Sequence, residues 1–361
     1  MSNNKLNILP PKVELETKDV LKQLVESHRA LAELKGYADT IPNKNILINA
    51  VLINEAKDSS AIENIVTTFD ELYKAMSEAS GSSSAAKEVV NYRSALWYGY
   101  EQIKQKEMLT TNMIIEIQSI IENSNAGIRK LPGTVLVNSI TGEKIYTPPE
   151  GIDELRSLLS NLEEYINEDN DKIDPLIKLA VIHYQFESIH PFYDGNGRTG
   201  RVINVLYLVL KEMLDSPILY LSSYIIRNKS DYYKYLQQVR TMEDWESWII
   251  YILKGIEVTA KDSFNLVKKI NNEVEQMTME LKEKLPKIYS VELINLLFFE
   301  FYTKINFLEK GLGVSRKTAA NYLSVLETEG FLSSEKIGKE RIYQNKRLFD
   351  IVKEDNKYYT Y

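Results

Sequence analysis

The chain has no cysteine in its 361 residues, which excludes disulfide frameworks, cysteine-bound zinc and thiolate nucleophiles. Histidine is nearly as scarce: His28, His183 and His190 are the whole set, too few for a multi-histidine metal cluster. Long apolar runs are missing too. The strongest, at residues 202–210 and 293–299, reach roughly half the length of a membrane span. The N-terminus lacks the apolar core and small-residue cleavage site of a signal peptide, so a cytoplasmic location is expected. Neither sign of charge dominates: 44 Lys and Arg against 51 Asp and Glu leave −7. That balance argues against a surface that coats nucleic acid but permits one basic patch.

With 44% hydrophobic and 26% charged residues, the chain has the composition of a soluble globular protein, and its length suggests two or three domains. Most of it carries helical period. Residues 45–76 place Leu47, Val51, Leu52, Ala56, Ile62, Ile65, Val66, Phe69, Leu72 and Tyr73 at three- and four-residue spacings. The small-residue stretch 79–84 reads as a loop before a helix that opens at Ala85. Further helices are expected at 111–122, 152–167, 175–188 and 198–214, with Pro175 in a first turn, where a missing N–H costs little. Two short β-prone runs, 135–137 and 144–146, flank Ser139-Ile140-Thr141-Gly142 and predict a hairpin. A lone hairpin is marginal in water and must lean on something. In the last quarter, residues 305–310, a Gly311-Leu312-Gly313-Val314 turn and a helix capped by Ser315 spell helix–turn–helix. Gly330-Phe331-Leu332, a turn at Gly338-Lys339 and Arg341-Ile342-Tyr343 then read as a two-stranded wing.

The chemistry is concentrated in His190-Pro191-Phe192-Tyr193-Asp194-Gly195-Asn196-Gly197-Arg198-Thr199-Gly200-Arg201. Two glycines let the backbone turn tightly against a ligand, and a helix follows at once. The free N–H groups and dipole of a helix N-terminus bind anions. Arg198 and Arg201, three apart, share a helix face and fork onto phosphate oxygens. Asp194 is a hard carboxylate suited to a Mg²⁺ shared with phosphate. His190 titrates near neutrality and suits proton removal from an attacking hydroxyl. The stretch therefore implies a polyphosphate, magnesium and a base together. It is not a P-loop, because no G-x-x-x-x-G-K-[ST] occurs.

This string resembles the signature H-x-F-x-[DE]-G-N-G-R-x-x-R of Fic-domain proteins, with every specified position filled. The resemblance implies transfer of AMP from ATP to a hydroxyl side chain (Tyr, Thr or Ser) of a target protein, self-modification included, with release of pyrophosphate. It implies His190 as general base and Asp194 as the Mg²⁺ ligand. Gly195, Asn196 and Gly197 would cradle the α- and β-phosphates, and Arg198 and Arg201 would bind the outer ones, with Thr199 and Gly200 completing the nucleotide-binding stretch. Phe192 would be the buried anchor of the loop. Residues 129–149 resemble the family's flap, whose strand aligns the target hydroxyl by β-augmentation. Tyr232 and Tyr233 resemble a Tyr-Tyr pair bordering the nucleoside, although paired tyrosines are as often simple core. His183 reads as a packed or surface histidine, His28 as a solvated one, and Glu187 as either a carboxylate able to orient His190 or an ordinary helix-surface one.

Ser59-Ser60-Ala61-Ile62-Glu63-Asn64 is similar to the family's inhibitory motif [ST]-x-x-x-E-[GN]. By that resemblance Ser59, Glu63 and Asn64 form a brake. Glu63 pairs with Arg201 and takes the place of a γ-phosphate, since carboxylate and phosphate compete for one guanidinium fork. The same glutamate allows removal of AMP, as in bifunctional members. From 305 to 347 the pattern resembles a winged helix, a module family members of this length often carry. Within 310–347, eight Lys/Arg against four Glu leave +4, so contact with DNA and docking of a protein are both open, as is a homodimer.

The fold expected is mainly α: a helical Fic core with a β-hairpin flap, an N-terminal helical region and a C-terminal winged helix-turn-helix. The domains are read as residues 1–105 with the inhibitory helix, 106–260 catalytic, 261–285 a helical linker and 286–361 the winged helix. The competing reading is a nucleotide-sensing, DNA-binding regulator that transfers nothing. A variant enzyme uses another phosphate donor. Tyr358, Tyr359 and Tyr361 are conceivable sites of self-modification.

Overall fold

The computed structural model describes residues 6–41, 43–76, 83–137, 142, 144–170, 172–299, 302–337 and 340–357. The expected small-residue loop (its first four residues), the hairpin tip at Ser139-Ile140-Thr141, the wing turn at Gly338-Lys339 and the terminal tyrosines lie outside the described residues. Helix α1 (Lys18–Asp39) starts at Thr17, whose side chain accepts the Val20 N–H, and α2 (Lys44–Ile62) is buried along nearly its whole length. The helical period that runs from 45 to 76 is broken in the structure: α3 (Phe69–Met76) is separate from α2. The break has a local cause. Glu63 caps α2, Asn64 adopts a left-handed φ of 63°, and the Ile65 and Asn64 N–H groups bond back to the Ser60 and Ala61 carbonyls, a Schellman closure. Asparagine is among the few residues that accept that conformation cheaply.

Helix α4 (Ser84–Lys106) is capped by the Ser83 hydroxyl, and α5 (Thr111–Glu122) lies where the spacing predicts it. Strands β1 (Leu136–Val137) and β2 (Lys144–Tyr146) pair antiparallel as the expected hairpin. It leans on the core through Tyr146, whose hydroxyl donates to the Ser188 carbonyl at 3.0 Å. Helices α6 (Ile152–Asn167), α7 (Pro175–Ile189) and α8 (Asn196–Leu210) follow. Every residue of α7 from Leu176 onward is buried, as expected of a helix at the centre of a domain. Two shorter helices, α9 (Ser222–Arg227) and α10 (Lys229–Met242), lead into the 40-residue α11 (Trp245–Lys284).

Helix α11 runs unbroken through the segment read as a linker. Its second half buries Leu266, Val267, Ile270, Met277 and Leu281 at helical spacing, so that segment contributes to the core. Beyond it, α12 (Val291–Phe299), β3 (Tyr302–Thr303), α13 (Ile305–Leu312), α14 (Arg316–Thr328), β4 (Leu332–Ile337), β5 (Glu340–Asn345) and α15 (Lys346–Lys357) complete the winged helix. Its sheet has the order β3-β5-β4, antiparallel throughout, and the Ser315 hydroxyl accepts the Thr318 N–H as expected of the cap. Helix α12 packs against α2, where Asn49 donates to the Phe299 carbonyl at 2.9 Å while accepting from Arg93 of α4 at 2.8 Å. Among the described residues no helix is long and apolar enough to cross a membrane.

Candidate active site

The site lies where α7 ends and α8 begins. His190 caps α7 in a left-handed conformation (φ 48°, ψ 58°), its N–H bonding back to Phe186. Such a backbone is strained by about 1–3 kcal/mol for a non-glycine residue and persists only when neighbours over-determine it. The neighbours are explicit. Buried Arg129 donates through Nε to the His190 carbonyl at 2.8 Å and through Nη2 to the Pro149 carbonyl, and its own N–H donates to the Pro191 carbonyl at 2.9 Å. Asn196 closes the loop from the other side. Its side chain accepts the Phe192 N–H at 2.8 Å and donates to the Phe192 carbonyl at 2.9 Å, while the Phe192 ring is fully buried. Asp194 is exposed, its Oδ1 accepting the Gly195 N–H at 2.7 Å. Gly195 takes a left-handed φ of 76° and opens α8.

The two arginines have different surroundings. Arg201 donates through Nε to Ser59 Oγ at 2.7 Å, and through Nη2 to the Ser59 carbonyl at 2.9 Å and to Glu63 Oε1 at 2.8 Å. A methyl group built on Gly197 would overlap that Glu63 carboxylate, so Glu63 rests against the first turn of α8. Burial raises the Glu63 pKa, but the charges of Arg201, Arg198 and Lys229 and the Arg201 hydrogen bond outweigh it, leaving the carboxyl below its usual range. Arg198 is directed elsewhere. Its Nη1 donates to Glu88 at 3.1 Å and its Nη2 to Glu122 at 2.7 Å, leaving Nε buried without a partner. A β-carbon on Gly195 would collide with the same Glu122 carboxylate. Thus Arg198 ties the start of α8 to α4 and α5.

Burial, with Arg129 and Arg240 adding positive charge, pulls the His190 pKa down to about 4, so its imidazole is neutral at pH 7. Glu187, a turn earlier, is buried against Gly200, with Oε1 lacking a donor and its pKa pushed up to about 7 by burial. His183 is a core histidine, one of the two placements the sequence leaves open. It stacks on Trp248 at 5.9 Å, meets the Tyr232 hydroxyl at 3.0 Å, and burial takes its pKa down to about 3. Tyr232 is therefore part of that core, whereas Tyr233 is half exposed and packs on Tyr232 at 5.1 Å. Burial raises the Tyr233 pKa, and the Glu63 charge raises it further. His28 departs from expectation. It is not simply solvated, because its Nε2 lies 2.8 Å from Asp174 Oδ2, the carboxylate that caps α7.

Several site residues carry no local sequence signal. Glu55, one helical turn before Ser59, is fully buried. It accepts from the Tyr92 hydroxyl at 2.9 Å, the Ser222 N–H at 3.0 Å and the Ser222 hydroxyl, and burial raises its pKa to about 7. Lys229 donates to the Ile62 carbonyl at 2.6 Å, at the end of the same helix. Glu88, Glu122 and Arg240 also belong here, each brought in from a distant element.

The donors at the start of α8 are of the kind that suits a phosphate anion. The first turn of α8 offers free N–H groups, and one anion, the Glu63 carboxylate, is already lodged against Gly197 and Arg201. For magnesium, Asp194 is the exposed hard donor, and among the described residues no group of three or more His, Asp or Glu is placed to hold a metal ion. A metal there would be held jointly with phosphate oxygens.

Three family profiles match successive stretches of the chain. These are the Fic/DOC family N-terminal region at residues 21–101, the Fic/DOC family at 108–208, and the C-terminal domain of SoFic-like protein adenylyltransferases at 274–348. Among curated proteins, the protein adenylyltransferase fic-1 of Caenorhabditis briggsae is 26% identical over 136 residues, covering 36% of this chain and 25% of that protein. The fic-1 of Caenorhabditis elegans is 27% identical over 111 residues, covering 30% and 20%. The chain thus matches a quarter or less of the length of these relatives. Among solved structures, a Fic family protein from Desulfovibrio desulfuricans superposes with a TM-score of 0.56 at 19% identity, over 93% of this chain and 98% of that one. A segment of Caenorhabditis elegans Fic-1 gives 0.54 at 19% identity, over 69% and 74%. Both share the fold.

Proposed function

Because this chain belongs to the Fic/DOC family, we propose that it is a protein adenylyltransferase, moving AMP from ATP to a hydroxyl side chain of a target protein and of itself. The observation that carries the reading is the Glu63 carboxylate seated on the first turn of α8 against Arg201, an anion in the position an ATP phosphate would take. In the reaction the acceptor oxygen attacks the α-phosphorus, the bond from that phosphorus to the bridging oxygen breaks, and pyrophosphate leaves. Neutral His190 takes the hydroxyl proton. Its depressed pKa makes it a weak base while the site is free, and an arriving polyanion raises the pKa toward neutrality, strengthening the base when substrate is present. The α8 N–H groups and Arg201 hold the leaving phosphates. A magnesium ion beside Asp194 would neutralise charge on the departing pyrophosphate. Strand β2 aligns the acceptor segment by adding it as a strand.

Glu63 is the brake in this reading. While it holds Arg201, a triphosphate binds without its outer phosphate seated, and the in-line geometry is lost. The experiment is transfer of label from α-labelled and γ-labelled ATP to the protein. Incorporation from the α-label only, lost in His190→Ala, supports adenylyl transfer. Incorporation from the γ-label overturns it in favour of phosphate transfer, and nucleotide binding with no incorporation favours a sensor.

The winged helix supports a second, separate proposal, that it contacts nucleic acid. Arg316 and Arg341 are exposed, with only loose ion pairs at 3.9 and 3.7 Å to Glu309 and Glu327. Arg316 opens α14, the helix that enters the major groove in such modules, and Arg341 stands on the wing strand β5. Salt-dependent retardation of duplex DNA, weakened by Arg316→Ala, is expected; binding by the variant equal to wild type would contradict it.

A further inference from the structure

A cavity of about 750 Å³ lies beside the flap, and the proposed reaction does not use it. Ile145 and Tyr146 of β2, Tyr184 of α7, Gln237 and Arg240 of α10 and Trp245 line it, and residues 6–13 form its outer wall. That wall is fixed. Asn161 accepts the Leu9 N–H at 2.7 Å and donates to the Leu9 carbonyl at 3.1 Å, while buried Gln185 donates to the Asn7 carbonyl at 2.8 Å. The cavity adjoins the reacting centre: Tyr146 bonds Ser188, two residues before His190, and the Arg240 charge reaches His190.

Arg240 is the unusual element. Its guanidinium lies 3.9 Å above the Tyr146 ring, and one Nη makes a long 3.4 Å hydrogen bond to Ser188 Oγ. Its Nε is sealed from solvent without a partner, as is Gln237 Oε1. Among the described residues no carboxylate forms an ion pair with it. Glu187, whose charge reaches Arg240, has an Oε1 without a donor, and Glu243 stands exposed at the rim. Stacking on tyrosine and the C-terminal dipole of α10 offset part of the cost of burying this cation. Tyr184 also stands within hydrogen-bond reach of the guanidinium, and a carboxylate is the partner that fits the charge and the donors left over, because it accepts from a guanidinium through both oxygens. The aromatic walls suit the methylene stem of such a side chain.

We infer that this cavity is a specificity pocket for the target protein, receiving an acidic side chain of the acceptor segment on Arg240. The inference rests on the adenylyl-transfer reading, with the acceptor laid along β2. Alternate residues of an extended strand share a face, so an acid close to the acceptor hydroxyl in sequence can point into the cavity.

The test uses the full chain carrying Glu63→Gly and fluorescein-labelled nine-residue peptides with a central threonine in a neutral background. One glutamate is moved through each flanking position, with glutamine as control. Binding is read by anisotropy without nucleotide, and transfer by incorporation of labelled AMP. At one or two neighbouring positions glutamate is expected to bind at least tenfold more tightly than glutamine. Arg240→Gln should erase that preference and Arg240→Lys restore part of it. Gln237→Glu, which adds a like charge to the wall, should also weaken the acidic peptide selectively, a second check should Arg240→Gln fail to fold. No preference at any position, or a preference that survives Arg240→Gln, overturns the pocket. An Arg240-dependent preference with no AMP transfer to any peptide or to the chain itself would support the pocket and overturn the transfer reading.

Discussion

Replacing Glu63 by glycine removes the one carboxylate that, among the described residues, pairs with Arg201. Arg201 is 2% exposed and Glu63 37%, so their 2.8 Å contact is half dry. A hydrogen bond to a charged group contributes about 1.5–3 kcal/mol, and solvent screening on the Glu63 side favours the lower half of that range. At about 1.4 kcal/mol per tenfold, relieving the competition should raise productive ATP affinity about 10- to 40-fold. The initial rate of α-labelled AMP incorporation at subsaturating ATP should rise by the same factor, and Glu63→Gln, which keeps an acceptor but no charge, should fall between. The change also carries a stability signature. Without nucleotide, Arg201 retains only the two Ser59 acceptors, so the variant should melt below wild type. Saturating ATP should recover that deficit, since binding to the folded state alone stabilises it. Equal rates and equal ATP affinity in the two proteins would refute the competition argument.

Glu122→Gln should lower thermal stability by about 1–3 kcal/mol, because it weakens a charge-assisted bond to buried Arg198; an unchanged melting temperature would contradict the tie between α8 and α5. Glu55 has a folded pKa near 7, above its unfolded value, so the folded state holds an extra proton between pH 4.5 and 7 and this residue's contribution to stability is lost as pH rises. The difference in melting temperature between Glu55→Gln and wild type should therefore be more favourable to the variant at pH 8 than at pH 5. His190 and His183 act in the opposite sense: both titrate below 6.5 when folded, and their neutral burial destabilises the fold as pH falls below that value. By NMR the His190 ring should titrate near pH 4 in the free protein and move upward by at least one unit when Glu63→Gly binds a non-hydrolysable ATP analogue.

Much of the fold is written locally. Helices α5 and α6 begin and end where their apolar spacing does, and the Ser315 cap and the β-prone runs of the flap and wing are visible as chemistry of neighbouring residues. The loop from His190 to Arg201 is similarly legible, because a tight turn, an anion cradle and a base need particular residues in sequence. The break at Asn64 is not, since apolar spacing continues across it and only the left-handed backbone ends α2. Nor are the partners of Arg198: Glu88 and Glu122 lie 110 and 76 residues away, and nothing local marks either of them. Arg240 is hidden for the same reason, as its role depends on a flap some hundred residues upstream in the chain.

The proposed activity requires His190 to deliver an acceptor hydroxyl to the α-phosphorus of ATP once Glu63 has left Arg201. Intact-mass spectrometry of Glu63→Gly after incubation with ATP and Mg²⁺ tests this most directly. A gain of one or more AMP units is expected, absent when His190→Ala is added. An unchanged mass in a protein that binds ATP, or the same gain without His190, would contradict it.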